Sequence, residues 1–154
     1  DLSEEERTKL RLSELGYVFQ DYALLPELNA TENVAVPLLM QGISKKEAYR
    51  ISENMLSRVG LTSRLNNLPS QLSGGEQQRV SIARSIAHSP KILFADEPTA
   101  NLDTKTSEGI LKIFQELNSS GQTIIMVTHE MEFAQMAKRI IEMKDGRITA
   151  DRNT

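Results

Sequence analysis

Two short, continuously apolar segments, each followed at once by polar residues, constrain the fold of this chain more than any other feature. The first covers residues 92–95 in the stretch KILFADEPTANLD (91–103), and the second lies in TIIMVTHE (123–130). Runs of this kind are typical of strands that are buried on both faces of a parallel sheet. Helices are predicted after each run, at 104–117 and 130–138. This alternation predicts an α/β protein with right-handed crossovers.

The rest of the chain is predicted to add one strand, a group of helices and a hairpin. Aromatic and β-branched residues predict a strand at GYVFQ, and Asp145-Gly146 predicts the turn of a hairpin in RIIEMKDGRITA. The cap pattern of Ser3 and Glu6 predicts a short polar helix at 3–14, and apolar periodicity with capping residues predicts helices at 44–59 and 74–88. Prolines break 21–42 into a loop and a short helix. Because residues 24–88 are almost all helix and loop, we expect them to form a helical insertion on the sheet.

The composition excludes several kinds of site. The 154 residues contain no cysteine and only two histidines, so disulfides are excluded and a structural zinc site is not expected. A net charge of −3 argues against a nucleic-acid-binding surface. No apolar run approaches the roughly 20 residues of a membrane-spanning helix, and the acidic N-terminus does not resemble a signal peptide. We therefore expect a cytoplasmic protein.

Polar side chains follow both apolar segments at the point where each predicted strand ends. Asp96 and Glu97 follow the first strand, and His129 follows the second. The carboxyl ends of parallel strands meet at one sheet edge, where α/β proteins bind ligands, so these three side chains are expected to converge. One carboxylate could hold a divalent metal while the other faces a nucleophilic water. The alternative is that DEP and the histidine only form turns.

A pair of glycines at a predicted helix start points to a second site. Ser73 and Glu76 in LSGGEQQRV form a capping-box pattern, and so do Ser44 and Glu47, but only the first pair encloses two glycines. Glycines weaken the first turn of a helix, so we expect that another group approaches the backbone at Gly74 and Gly75. Since a helix N-terminus attracts negative charge, an anion is one candidate for that group. A simple helix cap is the alternative.

The order and spacing of these segments resemble one family closely, the ATP-binding cassette (ABC) ATPases. The resemblance rests on GYVFQ, LSGGEQQRVSIARSIAHSPKILFADEPTANLD and MVTHE, and it covers essentially the whole chain. It implies a P-loop NTPase-like (RecA-like) parallel sheet with a helical subdomain. The implied division is core at 1–20, helical subdomain at 21–90, and core again at 91–154. Within the family, two stretches resemble the group that serves lipoprotein release, macrolide export and cell division, namely VFQDYALLPELNATENVAVPLLMQG and DEPTANLDTKTSEGI. Importers of amino acids have similar motifs and are the alternative.

The resemblance implies roles for named residues, with ATP and Mg²⁺ as cofactors. Asp96 would hold Mg²⁺, Glu97 would be the general base, and His129 would lie near the γ-phosphate. Gln20 would contact the metal or the attacking water. The residues that match the signature motif, which contacts ATP bound to a second subunit, are Ser73, Gly74, Gly75 and Gln77. Asp103 would lie at the dimer interface, and a membrane permease would dock near Gln20, which places the protein at the inner face of the membrane.

One motif of the family is missing from these residues. The phosphate-binding loop has the form G-x-x-x-x-G-K-[ST], and none of the eight glycines here is followed by lysine. The simplest interpretation is a C-terminal fragment of an ATP-binding subunit, with little or no ATP hydrolysis by the fragment alone. The alternative is a non-catalytic interaction module that retains the fold. A soluble relative acting in DNA repair or translation has less support, because the chain is acidic.

Overall fold

The computed structural model describes residues 2–154 and contains two separate sheets among its helices. The helices are α1 (Glu4–Glu14), α2 (Ala30–Met40), α3 (Lys45–Arg58), α4 (Gly74–Ile86), α5 (Thr104–Ser119) and α6 (Met131–Ala134). The strands are β1 (Leu15–Val18), β2 (Ile92–Asp96), β3 (Thr123–Val127), β4 (Arg139–Lys144) and β5 (Arg147–Asn153). Short 3₁₀ turns lie at Thr62–Arg64 and Pro69–Gln71.

The central sheet is parallel, as the alternation of strands and helices predicts, and its strand order is β1-β2-β3. Tyr17 on β1 pairs with Phe94 on β2, which in turn pairs with Ile125 on β3. Strands β1 and β3 are shorter than predicted because turns follow them. The amide of Tyr22 donates to the carbonyl of Phe19, and the amide of Glu130 donates to the hydroxyl of Thr128.

Only one face of this sheet is buried among the described residues. Val18, Leu93 and Ala95 belong to one core cluster with residues of α4 and α5 and are at most 2% exposed. On the opposite face, Ile125 is 47% exposed and Val127 is 57% exposed. The prediction of strands buried on both faces is therefore wrong for the part of the chain that the structure describes, because the helices pack on one side only.

The helices between β1 and β2 pack on one another as α2, α3 and α4, and α4 also contacts the sheet. The apolar periodicity that predicts α4 corresponds to a buried stripe at Val80, Ala83, Ile86 and Ala87. The corresponding stripe of α3 is buried at Ala48 and Val59 and half-buried at Ile51 and Met55. Gly60 ends α3 with a φ of +80°, which glycine adopts without strain. The helical insertion is thus observed as a small packed bundle.

The predictions for both ends of the chain are largely confirmed. Ser3 and Glu6 form a full capping box at the start of α1. Strands β4 and β5 form the antiparallel hairpin, and Asp145 and Gly146 have φ values of +50° and +73° at its turn. Positive φ at both turn residues is typical of a type I′ hairpin turn. Helix α6 is shorter than predicted, at only four residues.

Candidate functional site

The ends of β2 and β3 bring Asp96, Glu97 and His129 together. Asp96 pairs with Val127 in the sheet, and the amide of Glu97 donates to the carbonyl of Val127 at 2.9 Å. Just beyond the strands, Nδ1 of His129 lies 3.0 Å from Oε1 of Glu97. The predicted convergence is therefore observed for Glu97 and His129, whose carboxylate and imidazole form a direct pair, while Asp96 is placed at the same sheet edge by its pairing with Val127.

The backbone of Glu97 adopts a conformation that the sequence does not predict. Its φ of +42° is in the left-handed region, which is strained for a residue with a side chain. Hydrogen bonds hold it there, because its N–H donates to Val127 and its carbonyl accepts from Ala100. Pro98 gave no signal of this, since a proline favours extended backbone for the residue before it. The strained turn directs Glu97 toward His129.

Glu97 changes the electrostatics of His129. Its hydrogen bond, followed by its negative charge, raises the pKa of His129 above the ordinary histidine value, and the charge of Glu130 adds to the effect. The side chain of His129 is 70% exposed and that of Glu97 is 29% exposed, so the pair lies open to solvent on the histidine side. A charged partner could therefore reach the imidazole directly.

Gln20 lies on the loop after β1, at the same end of the sheet. Its carbonyl accepts a hydrogen bond of 3.0 Å from Nδ2 of Asn101, in the loop after Glu97. The parallel pairing of β1 with β2 directs both loops to this edge. Asn101 was not singled out from the sequence, because an asparagine in a loop carries no signal of its partner.

The predicted cap at Ser73 is present in full. Oγ of Ser73 accepts from the amide of Glu76 at 3.3 Å, and the amide of Ser73 donates to Oε2 of Glu76 at 2.9 Å. Arg64 donates to Oε1 of the same carboxylate at 2.9 Å, and these bonds lower the pKa of Glu76. The comparison with Ser44 holds only in part. Its hydroxyl caps α3, but no second bond returns from Glu47, whose carboxylate binds Arg50.

The groups that approach the two glycines belong to this chain. A Cβ on Gly74 would lie 2.8 Å from the hydroxyl oxygen of Tyr22, and a Cβ on Gly75 would overlap the methyl group of Thr106. Gly75 is buried, whereas Ser73 is exposed. The expectation that the glycines admit a close group is met, but a bound phosphate is not needed to explain them. Packing against α5 is sufficient at Gly75.

Gln77 and Asp103, the other two predicted ligand-binding residues, bond within their own segments. Nε2 of Gln77 donates to the carbonyl of Leu72 at 3.1 Å. Asp103 is the N-cap of α5, where its carboxylate accepts from the amide of Thr106 at 3.0 Å and from its hydroxyl at 2.6 Å. These bonds lower the pKa of Asp103. The predicted residues thus form two groups, one around Glu97 and one around the start of α4.

Comparisons with known proteins show the family to which this chain belongs. The family described as ABC transporter matches residues 1–100, so the chain belongs to the ABC transporter family. The chain is 50% identical over 149 residues to the lipoprotein-releasing system ATP-binding protein LolD of Aquifex aeolicus. It is 48% identical over 145 residues to the uncharacterized ABC transporter ATP-binding protein YknY of Bacillus subtilis. These matches cover 97% and 94% of this chain.

A solved structure confirms the predicted fold class. The ATP-binding cassette MJ0796, in a dimeric post-hydrolysis state bound to ADP and Pi, matches 99% of this chain with a TM-score of 0.87 and 40% identity. The chain spans 68% of that cassette, and it spans 66% of LolD and 63% of YknY. Within residues 2–154, no helix has both the length and the apolar character needed to cross a membrane.

Proposed function

We propose that this chain is part of an ATP-hydrolysing subunit that powers a membrane transporter. The observation that carries the proposal is the His129–Glu97 pair at 3.0 Å, which lies beside Asp96 at the carboxyl end of the sheet. ATP hydrolysis needs a base for water and a group that responds to the terminal phosphate. Family membership supports ATP as the nucleotide.

Glu97 is the proposed general base. Its carboxylate would accept a proton from the attacking water, and its strained backbone would hold it in place for that role. His129 would orient Glu97 through its Nδ1 and present the opposite edge of its ring to the γ-phosphate. Because the pKa of His129 is raised by Glu97, a protonated ring close to the phosphate is favoured.

Asp96 and Gln20 are the proposed ligands of Mg²⁺. Both side chains are exposed at the carboxyl end of the sheet, and both offer the oxygen atoms that Mg²⁺ prefers. No cluster of three or more acidic or histidine ligands occurs among the described residues, which fits an ion that completes its coordination with phosphates and water. The ion would neutralise phosphate charge when bound.

The start of α4 is proposed to contact ATP held by a second subunit, through Ser73, Gly74, Gly75 and Gln77. Ser73 is exposed, and its bond from the Glu76 amide is long at 3.3 Å, so it could be exchanged for a bond to a phosphate. Asp103 is proposed to lie near this dimer interface. The dimeric assembly of the related cassette supports a pair of subunits, for which we propose a head-to-tail arrangement.

Residues 21–90 are proposed to form the helical subdomain, with 1–20 and 91–154 forming the core. A permease would dock near Gln20 and the 21–42 segment, which would place the protein at the inner face of the membrane. The names of the relatives as ATP-binding proteins of transporters support such a partner. A net charge of −3 supports the absence of a nucleic-acid partner. We also propose that the 154 residues alone do not turn over ATP, because they contain no glycine–lysine phosphate-binding loop.

The substitution Glu97→Gln in the complete protein tests the proposal. We expect loss of ATP turnover with retention of an ATP-bound dimer, measured by phosphate release and by size-exclusion chromatography with light scattering. Glu108→Gln is the matched control, because Glu108 is exposed on α5. Normal turnover by the Glu97→Gln protein would exclude Glu97 as the base. If the complete protein functions without any turnover, a non-catalytic interaction module becomes the better explanation.

A further inference from the structure

Gln78 is fully buried and contacts both loops that carry the proposed catalytic groups. It lies on α4 with no exposed surface. Its Nε2 donates to the carbonyl of Pro98 at 2.6 Å and to the carbonyl of Phe19 at 3.4 Å. These acceptors are 20 and 59 residues away along the chain. A single amide group therefore joins α4, the helix that begins with the glycine pair, to two separate loops.

The chemistry of this contact requires a neutral amide with two N–H bonds. Both acceptors are backbone carbonyls, so only the NH₂ end of the side chain can face them. The opposite oxygen, Oε1, has no hydrogen-bond partner among residues 2–154. A buried amide with an unpaired oxygen is costly to retain, which indicates that the two donated bonds do more than fill the core. A carboxylate at this position would repel both carbonyls.

The two acceptors are next to residues of the proposed site. Phe19 precedes Gln20, and Pro98 follows Glu97, whose backbone is strained. Asn101 joins the same two loops a second time, through its bond to the Gln20 carbonyl. We propose that Gln78 is a positioning residue that sets the location of Gln20 and Glu97 relative to α4. This inference rests on the proposed function for the catalytic meaning of those two residues.

Hydrogen–deuterium exchange of the purified protein tests the inference without requiring turnover. In Gln78→Met, which keeps the length of the side chain but removes both donors, we expect exchange about tenfold faster in segments 17–23 and 96–102 only. Gln115→Met is the control, since Gln115 is exposed on α5. Unchanged exchange in either segment would overturn the inference. A uniform increase along the whole chain would overturn it too, because it would show a general structural role.

A measurement on the unsubstituted protein decides the matter if the variant does not fold. Both Nε2 protons of Gln78 should exchange with solvent much more slowly than those of Gln115 in NMR spectra of the side-chain amides. Equal exchange rates would overturn the inference.

Kinetics separate the inference from the proposed function. In a protein that hydrolyses ATP, Gln78→Met should lower kcat by about tenfold to a hundredfold and change KM much less, because Glu97 acts on the attacking water while most nucleotide contacts lie outside the two loops. A raised KM with normal kcat would overturn the positioning role. Absence of turnover in the unsubstituted complete protein would instead count against the proposed function, and the exchange measurements would still decide how Gln78 holds the two loops.

Discussion

The methyl group of Thr106 occupies the space beside Gly75 where any larger residue would place its Cβ. Thr106 lies in the first turn of α5, and its hydroxyl and amide are both bound by Asp103. The start of α4 and the cap of α5 are therefore packed directly on each other. A substitution at Gly75 or at Thr106 is therefore expected to change the packing of the other residue.

Gly75→Ala should destabilise the protein by about 1–3 kcal/mol, because the new methyl overlaps that of Thr106 in a buried contact. Thr106→Ser removes the obstructing methyl and keeps the hydroxyl that binds Asp103. The remaining Cβ and Oγ1 of residue 106 lie 3.7 Å and 4.0 Å from the position of the added methyl, which is ordinary contact. Urea unfolding of both single variants and the double variant measures the coupling. Equal costs of Gly75→Ala in the two backgrounds would contradict this packing.

The pKa values of the two histidines should be shifted in opposite directions from the ordinary histidine value of about 6.5. Burial lowers the pKa of His88, although its bond to the Leu15 carbonyl opposes this, and Glu97 raises the pKa of His129. NMR titration of the ring protons distinguishes them, with a histidine-to-glutamine variant of each for assignment. Glu97→Gln should lower the pKa of His129 and leave that of His88 unchanged. A His129 pKa that does not respond to this substitution would refute the pairing.

These shifts also predict the direction of stability changes with pH. His88 is favoured as the neutral ring, so its contribution is present above about pH 6.5 and is lost as the pH falls through its lower folded-state pKa. His129 is favoured as the charged ring, so its contribution is present below about pH 6.5 and is lost as the pH rises through its raised pKa. Urea unfolding of His88→Gln and His129→Gln across this range measures each effect against the unsubstituted protein.

Asn33→Ala should cost at least about 2 kcal/mol, because Asn33 is fully buried and bonded on every side. Its oxygen accepts from the Leu25 amide at 2.8 Å, and its nitrogen donates to the Leu25 and Leu28 carbonyls at 3.0 and 2.8 Å. Its removal takes the partner from the Leu25 amide and the Leu28 carbonyl in the turn before α2, while the Leu25 carbonyl still accepts from the Leu28 amide at 3.2 Å. Asn54→Ala, at an exposed position on α3, is the control for urea unfolding. Similar costs for the two variants would rule out this role.

The open face of the sheet should make the purified 154-residue chain self-associate, because it exposes Ile125 and Val127 beside Tyr17 and Phe94. Replacing both Ile125 and Val127 by threonine keeps the strand propensity and should reduce association in sedimentation velocity. Ile148→Thr tests the specificity, since Ile148 is 64% exposed on the separate hairpin. An equal reduction by the control would show that this face is not responsible.

Much of the site could be predicted because its residues follow strong local patterns. Apolar runs that end in polar residues place Asp96, Glu97 and His129 at one sheet edge once the strands are known to be parallel. The capping pattern predicts the start of α4 at Gly74. The expectation of sheet burial on both faces was wrong because apolar content shows that a strand can be buried, without showing what covers it.

Local pattern was therefore sufficient for the helices, the strands and the residue types at the strand ends, since each depends on neighbours within a few positions. Contacts between distant residues supplied the rest. The methyl beside Gly75, the strained turn that directs Glu97 to His129, and the two loops joined by Gln78 all depend on distances across the folded chain. Such distances arise from packing, which no single stretch of sequence contains.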